Sequence, residues 1–195
     1  DDAPMTPSLS GDPGMMNLGT LVPDDDMMQG ISLVNSDSMK QAAIDNTVQK
    51  AADLYKHLKW QKYENQPEKE TYATAFDCYS TCLDAMQLAP KDSPQWEQCK
   101  SMLRDINKDL EAGAFYYSGL GDQAMLTQFA QAFVDTHMME AFKGEEFPRN
   151  SAYPAIIYIA ASGAYNAKDF NKAIDYFDRY LSTGDSKSRE QIYLF

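Results

Sequence analysis

From Ser38 onward the apolar residues recur three and four positions apart, the spacing that gathers them on one side of a helix. Ile44, Val48, Ala51, Tyr55 and Leu58 form the first such stripe. It must fade before Pro67, because the residue ahead of a proline is pushed out of the helical region. Tyr72, Ala75, Phe76, Tyr79, Cys82, Leu83 and Met86 form a second stripe, closed by Pro90. Ser93 followed by Pro94 opens a third helix: the hydroxyl can cap free amides, and proline in the first turn forfeits no hydrogen bond. Its stripe is Trp96, Cys99, Leu103, Ile106 and Leu110.

Gly119 and Gly121 punctuate the chain before a fourth helix with Met125, Phe129, Ala132 and Phe133 inward. The turn-rich run KGEEFPRNS separates it from a fifth helix, expected from Ser151 through Ala164. A sixth follows in NAKDFNKAIDYFDRYLSTG, with Phe170, Ala173, Ile174, Phe177, Tyr180 and Leu181 along one face. No segment alternates apolar and polar residues over strand length. The predicted fold is therefore all-α, in antiparallel helix pairs over about 38–88, 94–142 and 151–183.

Residues 1–37 read differently. Pro4, Pro7, Pro13, Pro23, Gly11, Gly14, Gly19 and Gly30 interrupt any period, which predicts an extended Pro/Gly/Met-rich arm ahead of a helical domain over 38–195. Leu18, Leu21, Val22 and the arm's methionines are expected to anchor it on the helical body. The pairs Met15-Met16 and Met27-Met28 read better as adaptable apolar anchors than as soft-metal ligands.

The fifth and sixth helices together resemble a tetratricopeptide repeat over Pro154 to Lys187. Ile157 stands in the large slot of the first helix, Ala160 and Ala161 in the Leu-Gly slots, and Ala173 and Phe177 keep the second helix's Ala-x3-Phe spacing. Ala164 replaces the usual Tyr, Tyr180 the usual Ala, and Asp185 a frequent Pro. Small residues are needed at Ala161 and Ala173 because two helix axes cross closely there. Earlier pairs match less well: Ala75 to Ala173 spans about two repeats of nearly 50 residues, not three of 34. The resemblance implies a right-handed α-solenoid. After Gly184, DSKSREQIYLF carries helix-start residues and then Ile192, Leu194 and Phe195, as a further repeat beginning over 186–195 would. A terminal repeat normally presents a polar outer face, so this ending is expected of a chain that continues in a longer protein.

Charge narrows the partners. With 17 Lys and Arg against 29 Asp and Glu the formal net charge is -12, and the basic residues are scattered. Nucleic acid and anionic membrane surfaces, which need clustered cations, are thereby disfavoured. No apolar run approaches the roughly 18 residues that cross a bilayer. The chain opens DDAPMTPS without an initiator Met, as it would after removal of a leader or after trimming; export to the periplasm or cell surface of a Gram-negative bacterium is the expectation.

Catalytic chemistry is sparse in the sequence. There is no H-E-x-x-H, C-x-x-C, G-x-S-x-G or G-x-x-x-x-G-K-[ST], and Gly119-Leu120-Gly121 lacks a preceding strand. His57 and His137 are expected at the surface or its boundary. Cys78, Cys82 and Cys99 are expected as small packing residues, though three cysteines also permit one bridge and a spare thiol. No cofactor, no metal and no enzyme activity are predicted.

What remains is surface. Tetratricopeptide proteins bind peptides or partner proteins in a concave groove lined by first helices. By that resemblance Tyr158, Ser162, Tyr165 and Asn166 would line it, with Arg189 from the further repeat. The carboxylate-clamping members have Lys where Tyr158 stands, so chaperone C-terminal peptides are not the expected ligand. The alternative reading is a glycan-binding component resembling the outer-membrane lipoproteins of the starch-utilisation family. There Trp60 and Trp96 would be the stacking platforms, although Trp96 lies on an apolar stripe.

Overall fold

The computed structural model describes residues 25–148 and 151–183, except for the side chains of 25–28 and 30–34. The chain divides into two compact units, residues 1–42 and 43–195. The described part of the first unit is helical: residues 25–42 belong to α1 (Asp25–Tyr63), and side chains 35–42 are exposed. The extended arm expected through residue 37 therefore gives way to helix at Asp25. No proline follows Pro23 until Pro67, and the interior Gly30 costs about 1 kcal/mol, too little to break a helix of 39 residues. Residues 1–24, with the expected anchors Leu18, Leu21 and Val22, lie outside the described residues, as do the side chains of Met27 and Met28.

The second unit continues α1 and adds α2 (Glu68–Leu88), α3 (Pro94–Leu120), α4 (Gln123–Met138), α5 (Tyr153–Asn166) and α6 (Phe170–Leu181), with a 3-10 turn at Glu140–Phe142. Among the described residues there is no strand. The helix ends follow local chemistry. Ser93 Oγ accepts the Trp96 amide at 3.3 Å, Asp122 caps Met125 at 3.1 Å and Asp169 caps Lys172 at 3.2 Å. Each such cap contributes about 1 kcal/mol. Gly119 is still helical; Gly121, at φ 71°, takes the left-handed conformation that ends α3. Ser151 lies in a turn, and α5 begins two residues later with Pro154 in its first turn.

Contacts between helices fix their directions. Asn107 meets Phe133 and His137 while Gly113 faces Phe129, so contacts run forward on α3 as they run backward on α4. The same reversal relates α4 to α5, through His137–Tyr153, Gln131–Ala160 and Thr127–Gly163. It relates α5 to α6 through Tyr158–Phe177 and Tyr165–Phe170. Alternate helices run parallel: Gln95 donates to Asp45, Tyr55 to Asp105 and Lys62 to Asp109, a nearly constant offset of 50, 50 and 47 residues between α1 and α3. That offset is the near-50 spacing visible in the sequence and exceeds the 34 of a standard tetratricopeptide unit.

The core forms where the stripes meet. Phe129 of α4 packs its ring against Phe76 of α2 and Tyr117 of α3, each at 5.3 Å between centroids. Ile44, Val48, Ala51 and Leu58 bury the inner side of α1, and Trp96, Cys99, Leu103, Ile106 and Leu110 that of α3. All three cysteines are free thiols and fully buried. With no disulfide and no exposure, all three act as small apolar fillers between helices. Two glycines set close approaches: a Cβ on Gly113 would run into the Phe129 ring, and one on Gly163 into the Thr127 methyl.

Candidate functional site

The α5–α6 hairpin carries the main apolar groove. Its tight turn rests on Lys168 at φ 60° and on backbone bonds from the Ala167, Lys168 and Asp169 amides to Gly163, Tyr165 and Ala164. Ala160, Ala161, Ala164 and Ala173 are buried, and their small side chains let the two helices and α4 come close. Ile157 is fully buried beside them.

That closeness leaves part of α6 uncovered. Its apolar stripe is wider than α5 can shield. Ala173 and Tyr180 are buried, and Tyr176, absent from the stripe expected from sequence, is fully buried with its hydroxyl 2.5 Å from Asp135 Oδ1 of α4. Phe170 and Ile174, expected to face inward, are instead 52% and 56% exposed. The correction has a physical origin: α6 turns toward both α5 and α4, which moves the buried sector round to Tyr176 and leaves the Phe170 and Ile174 edge outside.

The exposed edge meets the outward side of α5. Tyr158, Ser162, Tyr165 and Asn166 from α5, with Phe170, Ala173, Ile174 and Phe177 from α6, line an open groove of about 520 Å³. Its walls are aromatic pairs: Tyr158 lies 6.2 Å from Phe177 and 5.6 Å from Tyr180, and Tyr165 lies 5.6 Å from Phe170. None of the eight lining residues is charged. The four residues singled out on α5 thus share one surface. Phe177, expected as a repeat-packing residue, is half-buried in the groove wall. Arg189 and the expected further repeat over 186–195 lie outside the described residues.

A second cleft, of about 600 Å³, lies between α1 and α3 and is lined by Tyr55, Lys59, Arg104, Asp105 and Lys108, with Phe133 and Phe147 behind. The Tyr55 hydroxyl donates to Asp105 and holds that carboxyl below its usual range, while Lys108 lies 3.3 Å away. Hydrogen bonds from Lys100 and Arg104 likewise hold Glu145 low; Arg104 grips it with two bonds of 3.0 Å. These charges neutralise one another along α3 and between α3 and the loop at Glu145, as a structural seam does.

Behind this cleft sequence reasoning missed a polar cluster. His137, expected at the surface or its boundary, is buried with Nε2 2.7 Å from Asn107 Oδ1 and Nδ1 3.2 Å from the Tyr153 hydroxyl. Its ring stacks on Phe147 at 4.4 Å. The available signal was its place four residues after Phe133, on the inward side of α4. His57 is exposed and stacks on Trp60 at 5.5 Å. Trp96 is buried, whereas Trp60 is half exposed, which leaves Trp60 alone of the two tryptophans as an open platform. Among the described residues no group of three or more His, Cys, Asp or Glu is placed to hold a metal ion. No described helix is long and apolar enough to cross a membrane. No protein-family model matches this chain, nor does any curated protein or solved structure.

Proposed function

We propose that this protein is a non-catalytic scaffold, a tetratricopeptide-like stack of helix pairs, that holds a peptide or protein segment in the α5–α6 groove. One observation carries the reading: Tyr165, Phe170 and Ile174 are each more than half exposed and line a single concave, uncharged surface with Tyr158 and Phe177. Contiguous apolar surface rimmed by polar tips is what interaction sites present, and tyrosine offers a rigid contact with a hydroxyl at its end. A groove of about 520 Å³ suits a few anchoring side chains. The net charge of -12 acts from outside the groove and favours neutral or basic partner segments through steering. The alternating helix directions and the parallel α1–α3 pair support the stack.

Selection of displayed random peptides tests the reading. The parent chain should enrich sequences with apolar anchors three and four residues apart, and Ile174→Asp should weaken their binding at least tenfold. A Tyr63→Asp variant, changed at an exposed tyrosine on α1, should bind as the parent does. Absence of enrichment would refute the scaffold.

A second reading rests on exposed Trp60 and Tyr63, which α1 presents three residues apart. If these stack on sugar rings, a glycan array should give a signal that Trp60→Ala abolishes and Ile174→Asp does not.

A further inference from the structure

We infer that the cleft between α1 and α3 binds a small carboxylate with an apolar body, at a site separate from the α5–α6 groove. Tyr55 and Lys59 stand four apart on α1, and Ser101, Arg104, Asp105 and Lys108 recur at steps of three and four on α3, so two polar helix sides border one cavity. Its volume of about 600 Å³ is ordinary for a small-molecule site. The back of the cavity is apolar: Phe133, Phe147 and Pro148 line it, and the Phe147 ring stacks on buried His137. The loop that carries Phe147 is tied to α3 through Glu145, which Lys100 and Arg104 each hold at 3.0 Å. The walls are therefore in place before a ligand arrives, which lowers the cost of binding.

Charge selects the ligand. The whole chain carries -12, yet the cavity is lined by three cations, Lys59, Arg104 and Lys108, against two carboxylates, Asp105 and Glu111. Asp105 already meets the Tyr55 hydroxyl and Lys108, and Arg104 is committed to Glu145. Lys59 has no such engagement. Its Nζ lies 4.2 Å from the centre of the Tyr55 ring, and among the described residues no carboxylate stands within ion-pair distance of it. One ammonium suits one negative charge, so a monocarboxylate fits better than a doubly charged phosphate. An exposed ion pair alone is weak, and the rest of the affinity must come from a body that leaves water for Phe147 and Pro148. An aromatic or short aliphatic group does that.

An NMR titration of the 195-residue chain tests this with phenylbutyrate and with phenylbutyramide, which has the same body and no charge. At millimolar concentration the carboxylate should shift the Ser101 and Lys108 amide signals and, through Phe147, those of the His137 ring. The parent should bind the amide, and Lys59→Gln the carboxylate, at least roughly fivefold more weakly than the parent binds the carboxylate. Lys69→Gln, which removes an exposed cation from α2, should bind as the parent does. Added salt should weaken the carboxylate and leave the amide unchanged. Equal binding of carboxylate and amide by the parent, or of the carboxylate by parent and Lys59→Gln, overturns the inference. So does the absence of shifts, or their confinement to Tyr165, Phe170 and Ile174, which would give the carboxylate to the α5–α6 groove.

Discussion

His137 Nε2 lies 2.7 Å from Asn107 Oδ1, joining α4 to α3 inside the fold. The Asn107 amide donates to the Phe133 carbonyl at 3.2 Å, so its oxygen faces the ring and Nε2 carries the proton. On the other side of the ring the Tyr153 hydroxyl lies 3.2 Å from Nδ1 and accepts a bond from Arg179 Nε at 2.8 Å. The relay therefore spans α3 to α6. Asn107→Leu removes the acceptor from a buried N–H and the donor from a buried carbonyl, and should cost about 1–3 kcal/mol. Urea unfolding should show a lower midpoint with an unchanged slope; a loss below about 0.5 kcal/mol would mean the relay carries no stability.

Gly163 is set by contact rather than by conformation. Alanine there would gain roughly 1 kcal/mol of helix propensity, yet its methyl meets Thr127 Cγ2. We expect Gly163→Ala to destabilise the chain by about 1–3 kcal/mol through overpacking, and Thr127→Ser, which removes that methyl, to restore stability to the parent's level or above. Thermal or urea unfolding of the two single variants and the double variant gives the coupling; additive effects would contradict it.

Ala161 and Ala173 lie at 0% and 2% exposure in the α5–α6 hairpin. Replacing either with Phe should cost on the order of 1–3 kcal/mol. A change no larger than a surface substitution would remove the close crossing from the account.

Tyr55→Phe should move acid unfolding. The hydrogen bond from Tyr55 is the main cause holding Asp105 below its usual range. A depressed carboxyl adds stability that is complete above its unfolded value, roughly 4, and disappears as pH falls through the lower folded value. Losing the phenol should raise the Asp105 value, seen by carboxyl NMR, and shift the acid transition to higher pH while leaving the stability difference constant above about pH 6. An unmoved Asp105 titration would contradict the assignment.

The helices and most of the core were legible in the sequence, because three-and-four spacing reports burial whenever one face of a helix meets neighbours. Ile44, Val48, Ala51, Leu58, Leu103, Ile106 and Leu110 are buried as their spacing requires. The spacing does not say how wide the buried sector is, so the buried Tyr176 falls outside the stripe it predicts, while Phe170 and Ile174, which it places inward, stand exposed. Helix α1 begins at Asp25, inside the stretch read as an arm, because one glycine is weak punctuation where no proline accompanies it. The α5 side of the groove could be named from the repeat resemblance. Its α6 side could not, since it consists of apolar residues that look like core until the neighbours that leave them open are known. The burial of His137 is illegible for the converse reason: it depends on partners 16 and 30 residues away.

The claim that the groove seats a polypeptide segment is tested most directly from inside it. Phe170 replaced by photoreactive benzoylphenylalanine keeps an aromatic ring in the groove wall, and the same residue at Phe115, 45% exposed on α3, is the matched control outside it. Irradiation with a display-selected peptide should give a polypeptide adduct at 170, mapped by mass spectrometry to the peptide's apolar anchors, with little at 115. Equal adduct yields at 170 and 115, or none at either, would contradict the account.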